Sequence, residues 1–215
     1  MEIVHFYQQH AWDVLKRYEG IQILVARTGE LLEGNCFTYH QSSQEFKELL
    51  PKRSNILYHA QAKKKICEIG FNAGHSAVLL LQASSPDAEV LFFDLGEHAY
   101  MEPCYDYVKG EFPQKTTMIV GDSRQTIPRH IAEHPEVMAT FDLVHVDGGH
   151  EESVFSSDIQ CAMKLIKPGG IVIVDDTQVP YIRAWVEKEV NASNVLLVSD
   201  QLTTFGYEHL IVQKR

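Results

Sequence analysis

From Lys65 onward, short apolar runs alternate with helical patterns, and this alternation constrains the fold more than any other feature of the chain. Lys65–Ile69 reads as a strand, followed by a glycine-bearing turn and a helix over residues 75–82. Residues 90–94, 116–120 and 141–146 read as the next three strands. Residues 152–166 place Phe155, Ile159, Ala162, Met163 and Ile166 on one helical face. Residues 169–174 form a fifth strand, 180–190 a helix, and 195–198 and 209–212 two final strands. Continuous apolar strands separated by helices imply a mostly parallel sheet covered on both faces. The two closely spaced last strands imply an antiparallel edge. The expected fold is therefore α/β and Rossmann-like: a doubly wound, mostly parallel seven-stranded sheet with an antiparallel final strand and helices on both faces.

The region before this alternation is of a different character. Residues 3–18 suit an amphipathic helix, 21–26 a short strand or buried turn, and 27–40 a loop. Ser42 or Ser43 suits the cap of a helix through Leu50, with Glu45 placed for a capping box and Pro51 just past the end. Residues 1–58 are thus read as an N-terminal extension, a lid or oligomer contact, and residues 59–215 as the ligand-binding domain. Tyr39 and His40 are placed to close over a ligand at the sheet's rim.

Composition removes several function classes. The 215 residues are 45% hydrophobic and 22% charged, which suits a soluble globular chain able to bury a core. The net charge of −10 repels phosphate backbones, so no nucleic-acid partner is expected; the one basic run, Lys63-Lys64-Lys65, reads as a solvated strand entrance. Four cysteines without a C-x-x-C pair point to reduced, buried thiols. No apolar run is long enough for a membrane span and no basic-then-apolar leader is seen, so a cytoplasmic protein is expected.

Ligands of open α/β sheets bind at the carboxyl ends of the strands, so those residues carry the functional reading. After the first strand, Gly70 permits a tight turn and Gly74 lets the helix start against the sheet; a plain tight connection is the alternative. The turn lacks the three-glycine dinucleotide pattern, because Asn72 and Ala73 interrupt it. Asp94, at roughly the 20-residue spacing from the turn, suits both hydroxyls of a ribose, the alternative being a turn cap with Leu95-Gly96. In Gly121-Asp122-Ser123, Asp122 suits the exocyclic amine of a purine with Ser123 in support; either residue also suits a helix cap. Asp147, Asp175 and Asp176 end neighbouring strands. Clustered carboxylates are costly without a cation, and hard oxygen donors suit Mg²⁺. A metal-free site, with one aspartate acting as a base, is the alternative.

Together these strand ends resemble the class I S-adenosylmethionine-dependent methyltransferases, over roughly residues 65–214. Cys67-Glu-Ile-Gly-Phe-Asn-Ala-Gly-His-Ser76 is similar to that family's first motif, with Asn72 where a glycine is common, and Lys167-Pro-Gly-Gly-Ile-Val-Ile-Val174 to the motif entering the fifth strand. The resemblance implies cofactor contacts from Glu68, Gly70, Phe71, Asn72, Gly74, His75 and Ser76. It implies further contacts from Asp94, Leu95, Gly121, Asp122, Ser123 and Asp147. Phe-Asp-Leu-Val-His-Val-Asp-Gly-Gly-His150 followed by Asp175-Asp176-Thr177 is most similar to small-molecule O-methyltransferases of the catechol and macrolide-sugar types. That implies Mg²⁺ held by Asp147, Asp175 and Asp176.

Methyl transfer is governed by in-line positioning, with modest acid-base demands. The expected helpers are Mg²⁺ and either Asp147 or His150 as the base for an acceptor hydroxyl; a helix cap is the alternative for His150. His98, Tyr100, Tyr105 and Tyr107 are candidates for an acceptor pocket, although packing is the more common role of such residues. The rivals are a metal-free N-methyltransferase, a non-catalytic S-adenosylmethionine-binding module, and an NAD-dependent oxidoreductase. The last lacks a full glycine fingerprint. The acceptor is not legible, and the N-terminal segment is a candidate for homodimer contacts.

Overall fold

The structure is a computed structural model that describes residues 2–40, 42 and 45–215. Helix α1 (Glu2–Thr28) and helix α2 (Leu50–His59) precede the sheet, with a 3-10 turn at Lys47–Leu49. Then follow β1 (Lys65–Ile69), α3 (His75–Ala83), β2 (Glu89–Asp94), α4 (Met101–Glu111), β3 (Lys115–Val120) and α5 (Ser123–Glu133). The chain ends with β4 (Phe141–Val146), α6 (Glu152–Leu165), β5 (Ile166–Asp175), α7 (Pro180–Asn191), β6 (Val195–Leu197) and β7 (His209–Lys214).

The seven strands lie in the order β3-β2-β1-β4-β5-β7-β6. The first five pair in parallel, whereas β7 runs antiparallel between β5 and β6. The final strand is antiparallel, as expected; it lies inside the sheet, and β6 pairs antiparallel with it to form the edge. The β6–β7 connection is too short for a crossover helix, so β7 can only return antiparallel.

Period-2 alternation sends each strand's side chains to two apolar layers. Ile66, Val90, Phe92, Leu143, Ile171 and Ile173 meet α1, α2, α3 and α4 on one face. Cys67, Ile69, Phe93, Val144, Val146 and Val172 meet α5, α6 and α7 on the other. The N-terminal helices share the first layer with the central strands. All four cysteines are buried free thiols. Among the described residues no helix is long and apolar enough to cross a membrane.

Two N-terminal expectations are corrected. Residues 21–26 continue α1 instead of forming a strand or turn, with Ile21 and Val25 on its buried stripe. Gly20 leaves the helix unbroken because it is a contact point: a β-carbon there would lie 2.2 Å from the Tyr107 hydroxyl of α4. The helix expected to run through Leu50 and stop before Pro51 instead begins at Leu50, with Pro51 in its first turn, where a missing N–H costs nothing. Ser43 lies outside the described residues.

Candidate functional site

The same period-2 register that fills the first apolar layer sets polar side chains at its carboxyl end. On that face Ile66 is followed by Glu68, Phe92 by Asp94, Leu143 by His145 and Asp147, and Ile173 by Asp175. Glu68 is directly paired with His145 in the β1–β4 register. The acidic strand ends are thus neighbours because the strands stop at one level.

The β1–α3 turn is shaped for close backbone approach. Gly70 has φ +94°, and a β-carbon on it would lie 1.9 Å from the Asp147 carbonyl oxygen, so the turn and the β4 end abut. Asn72 holds φ +52°. That left-handed conformation explains why asparagine can stand where the family commonly has glycine, since asparagine tolerates it better than other side chains. The Asn72 N–H donates to Asp94 Oδ2 at 2.7 Å, and the Gly96 N–H to Asp94 Oδ1 at 2.8 Å. Asp94 is thereby oriented at the rim, with a further lone pair on each oxygen free to accept from a diol.

Other members of the expected cofactor set also have contacts within the fold. The Phe71 ring is buried against Phe92 and Tyr105, where it fills the space left by Gly74. His75 packs against Tyr18 and Phe37 and lies 3.1 Å from Gln22 Nε2. Burial pushes its imidazole down to about 3, so it is a neutral core residue. Ser76 is buried and Leu95 exposed. Asp122 spends its carboxylate on the α5 N-terminus, accepting from the Arg124 N–H at 2.9 Å, and on the Arg124 guanidinium. Gly121 donates to the Asp94 carbonyl at 2.8 Å, tying this turn to the β2 end.

Of the three aspartates expected to meet, Asp147 and Asp175 converge with His145, their ligand atoms all within 4.8 Å of one another. Asp176 turns away: its Oδ2 lies 2.8 Å from His150 Nε2, and its Oδ1 accepts from Gln178. Below the pair, His145 Nδ1 lies 2.9 Å from Glu68 Oε1, both side chains fully buried. Burial alone would lower His145, but hydrogen bonding to Asp175 and Glu68 pushes it up to about 10. From the N-terminal side Lys52 Nζ reaches to 2.6 Å from Asp175 Oδ2. Burial disfavours the Asp175 charge, yet Lys52 and His145 hold the carboxyl well below its usual range. Burial, and then the neighbouring Asp175, push Asp147 well above the usual carboxylate range. The Asp176 partner raises His150 to about 9, leaving it an imidazolium near neutral pH.

The two carboxylates, Asp147 and Asp175, fit a hard divalent cation, whereas the protonated His145 beside them supplies positive charge and no lone pair. Lys52 already supplies one positive charge to the same cluster.

The N-terminal segment reaches the rim. Glu33 Oε2 accepts from Asn72 Nδ2 at 3.3 Å, Glu30 accepts from the Ala99 N–H, and His98 lies between Glu30 and Glu33. The Tyr39 ring lies 5.3 Å from Tyr207, whose hydroxyl accepts from the His40 N–H and whose ring faces Lys52. His98 and Tyr105 border a cavity of about 600 Å³ with Met101, Met118 and Val120, none of which belongs to the carboxylate cluster. Tyr100 is buried and Tyr107 packs under Gly20, so both act in packing.

Two site residues escape the sequence reading. His145 carries a detectable signal, because it stands two residues before Asp147 on the same strand face. Lys52 carries no local signal, since its role depends on α2 docking against the β5 end.

A family model described as a methyltransferase domain matches residues 67–177, just over half of the chain. The O-methyltransferase from Bacillus cereus, solved with SAH, superposes with a TM-score of 0.66 at 18% identity, covering 96% of this chain and 96% of that one. The O-methyltransferase TomG from Streptomyces achromogenes, involved in tomaymycin synthesis and solved with SAM, gives 0.60 at 22% identity over 77% and 79%. CalS11, a TDP-rhamnose 3'-O-methyltransferase of calicheamicin biosynthesis, gives 0.58 at 18% over 78% and 81%. No curated protein matches the sequence.

Proposed function

Because the chain belongs to the methyltransferase-domain family, we propose that it transfers a methyl group from S-adenosylmethionine to a hydroxyl of a small molecule. The observation that carries this reading is the contact between the Gly70 turn and Asp147. It sets a cofactor-type turn directly against the carboxylate pair, so donor and acceptor can meet there. Similarity to three O-methyltransferases supports oxygen as the nucleophile.

In this reading Gly70 and Asn72 admit the cofactor, and Asp94 holds its ribose. Asp147 takes the acceptor proton, because burial and the neighbouring Asp175 raise its carboxyl and make it a stronger base than an ordinary carboxylate. His150, paired with Asp176, steadies the rim instead of accepting that proton. Tyr39, His40 and Tyr207 cover the site against water.

Mg²⁺ would be held by Asp147 and Asp175, with His145 beside them, and when bound would supply a Lewis acid that lowers the acceptor's pKa. The buried Lys52–Asp175 contact favours a second reading, in which the Lys52 ammonium is the cation of this rim. Activity abolished by EDTA and restored by Mg²⁺ supports the metal; activity indifferent to EDTA supports Lys52.

Thermal-shift titration tests the core reading. S-adenosylmethionine and S-adenosylhomocysteine should raise the melting temperature. Stabilisation by NAD⁺ alone would show an oxidoreductase, and binding without S-adenosylhomocysteine release across a panel of hydroxylated acceptors a binding module. Trp12 and Ile23, exposed on α1, support homodimer contacts through that helix, which sedimentation velocity would detect. Four buried free thiols support a reducing, cytoplasmic setting.

A further inference from the structure

Helix α1 has one face that the fold leaves uncovered. Tyr7, Val14, Tyr18 and Ile21 turn inward. On the opposite side Gln9, Trp12, Lys16, Glu19, Ile23 and Ala26 are all exposed. Their spacing alternates three and four residues, so they form one continuous stripe about 25 Å long. That alternation is the seam of a paired helix. Trp12, at 81%, is the most exposed large apolar side chain among the described residues, and Ile23 is 55% exposed. Neither Lys16 nor Glu19 has an ion-pair partner among the described residues.

The order of side chains along the stripe says what covers it. A second copy of the helix running parallel would set lysine against lysine at position 16 and acid against acid at position 19. An antiparallel copy behaves differently. When a two-fold axis crosses the helix between Arg17 and Tyr18, Trp12 faces Ile23 of the partner subunit. The same register sets Lys16 against Glu19 of the partner subunit and Gln9 against Ala26 of the partner subunit. A two-fold axis repeats each contact, so the two apolar pairs flank two ion pairs at the centre. The register that joins the apolar side chains is thus also the one that joins opposite charges.

We propose that α1 packs antiparallel on α1 of a second copy of this chain, with Trp12 on Ile23 of the partner subunit and Lys16 paired with Glu19 of the partner subunit. This rests on the reading of α1 as a homodimer contact, and gives that contact its orientation and register.

The test is sedimentation velocity, over a concentration series, of wild type, Trp12→Ala, Lys16→Glu, Glu19→Lys, the double reversal Lys16→Glu with Glu19→Lys, and an equimolar mixture of the two single reversals. Every substitution lies on the outward stripe, so far-ultraviolet circular dichroism should not change. Lys16→Glu sets acid against acid twice across the axis, and Glu19→Lys sets lysine against lysine twice. Each should raise the dimer dissociation constant by about 10-fold or more. Trp12→Ala should do the same by emptying both apolar pairs. The double reversal restores opposite charges and should return to within roughly threefold of wild type. The mixture should form heterodimers in preference to either homodimer. Wild type that sediments as a monomer throughout would overturn the homodimer reading and this register with it. A wild-type dimer that withstands Trp12→Ala or either single reversal, or that neither the double reversal nor the mixture restores, would overturn the register alone.

Discussion

Lys52 Nζ lies 2.6 Å from Asp175 Oδ2, with both side chains withdrawn from solvent, and this contact joins α2 to the end of β5. Burial alone would favour the neutral amine, but Asp175 and Asp147 hold the ammonium above its usual range. Removing one partner of such a pair strands the other charge, at a cost of about 3–5 kcal/mol. Lys52→Met should therefore destabilise the protein by that order in urea denaturation. Lys52→Met combined with Asp175→Asn should cost less than the two single changes summed. If Lys52 is the cation of the rim, Mg²⁺ should stabilise Lys52→Met more than wild type, since only the variant has an uncompensated site.

The Glu68–His145 pair implies a pH dependence. The native imidazole is raised to about 10, against 6.5 for the ordinary side chain. A base whose native pKa is raised contributes its full stability below the unfolded value and loses it as pH climbs to the native one. Melting temperature should therefore fall between about pH 6.5 and 10. Glu68→Gln should reduce that slope by removing one of the two carboxylates, with Asp175, that hold the proton, and a pH series of thermal melts on the two proteins checks it.

Turn geometry separates two substitutions that look equally small. Gly70→Ala combines φ +94° with a β-carbon 1.9 Å from backbone, so nothing flexible can yield. It should destabilise the fold by several kcal/mol, roughly the upper range for single substitutions, and abolish cofactor binding. Asn72→Gly suits φ +52° better than the native residue and should leave stability nearly unchanged despite loss of the Glu33 contact. Asn72→Val should behave like Gly70→Ala in direction, because a β-branched side chain resists that conformation. Chemical denaturation orders the three.

How far the sequence carries these arguments depends on whether a signal is local. The strands are legible because each is a continuous apolar run bounded by turn residues, and the acidic ends are legible because a parallel sheet aligns its strand ends. Residues 21–26 mislead because an apolar run of that length has no intrinsic preference. The packing of Gly20 under Tyr107 decides for helix, and that contact is tertiary. Adjacency groups Asp176 with Asp175, but a φ of +54° turns it toward His150 instead. Lys52 reaches Asp175 only through the docking of α2, which no periodicity encodes. Asp158 stands on the apolar stripe of α6, a local contradiction by which the sequence itself marks a buried acid.

That contradiction has a thermodynamic consequence. Burial pushes the Asp158 carboxyl up to about 6, against 3.8 for the ordinary side chain. Below about pH 4 both native and unfolded chains hold the proton, and the residue adds no pH dependence. Between about 4 and 6 the unfolded chain releases it while the native protein retains it, so stability falls as pH rises. Above that window the native carboxylate is ionised in its buried position, and the accumulated loss is about 3 kcal/mol, at about 1.4 kcal/mol for each pH unit of the window. Asp158→Asn should match wild type near the low end of the window and exceed it by up to about that amount at neutral pH. The difference between the two proteins, followed by urea denaturation across the window, isolates this group from every other carboxylate.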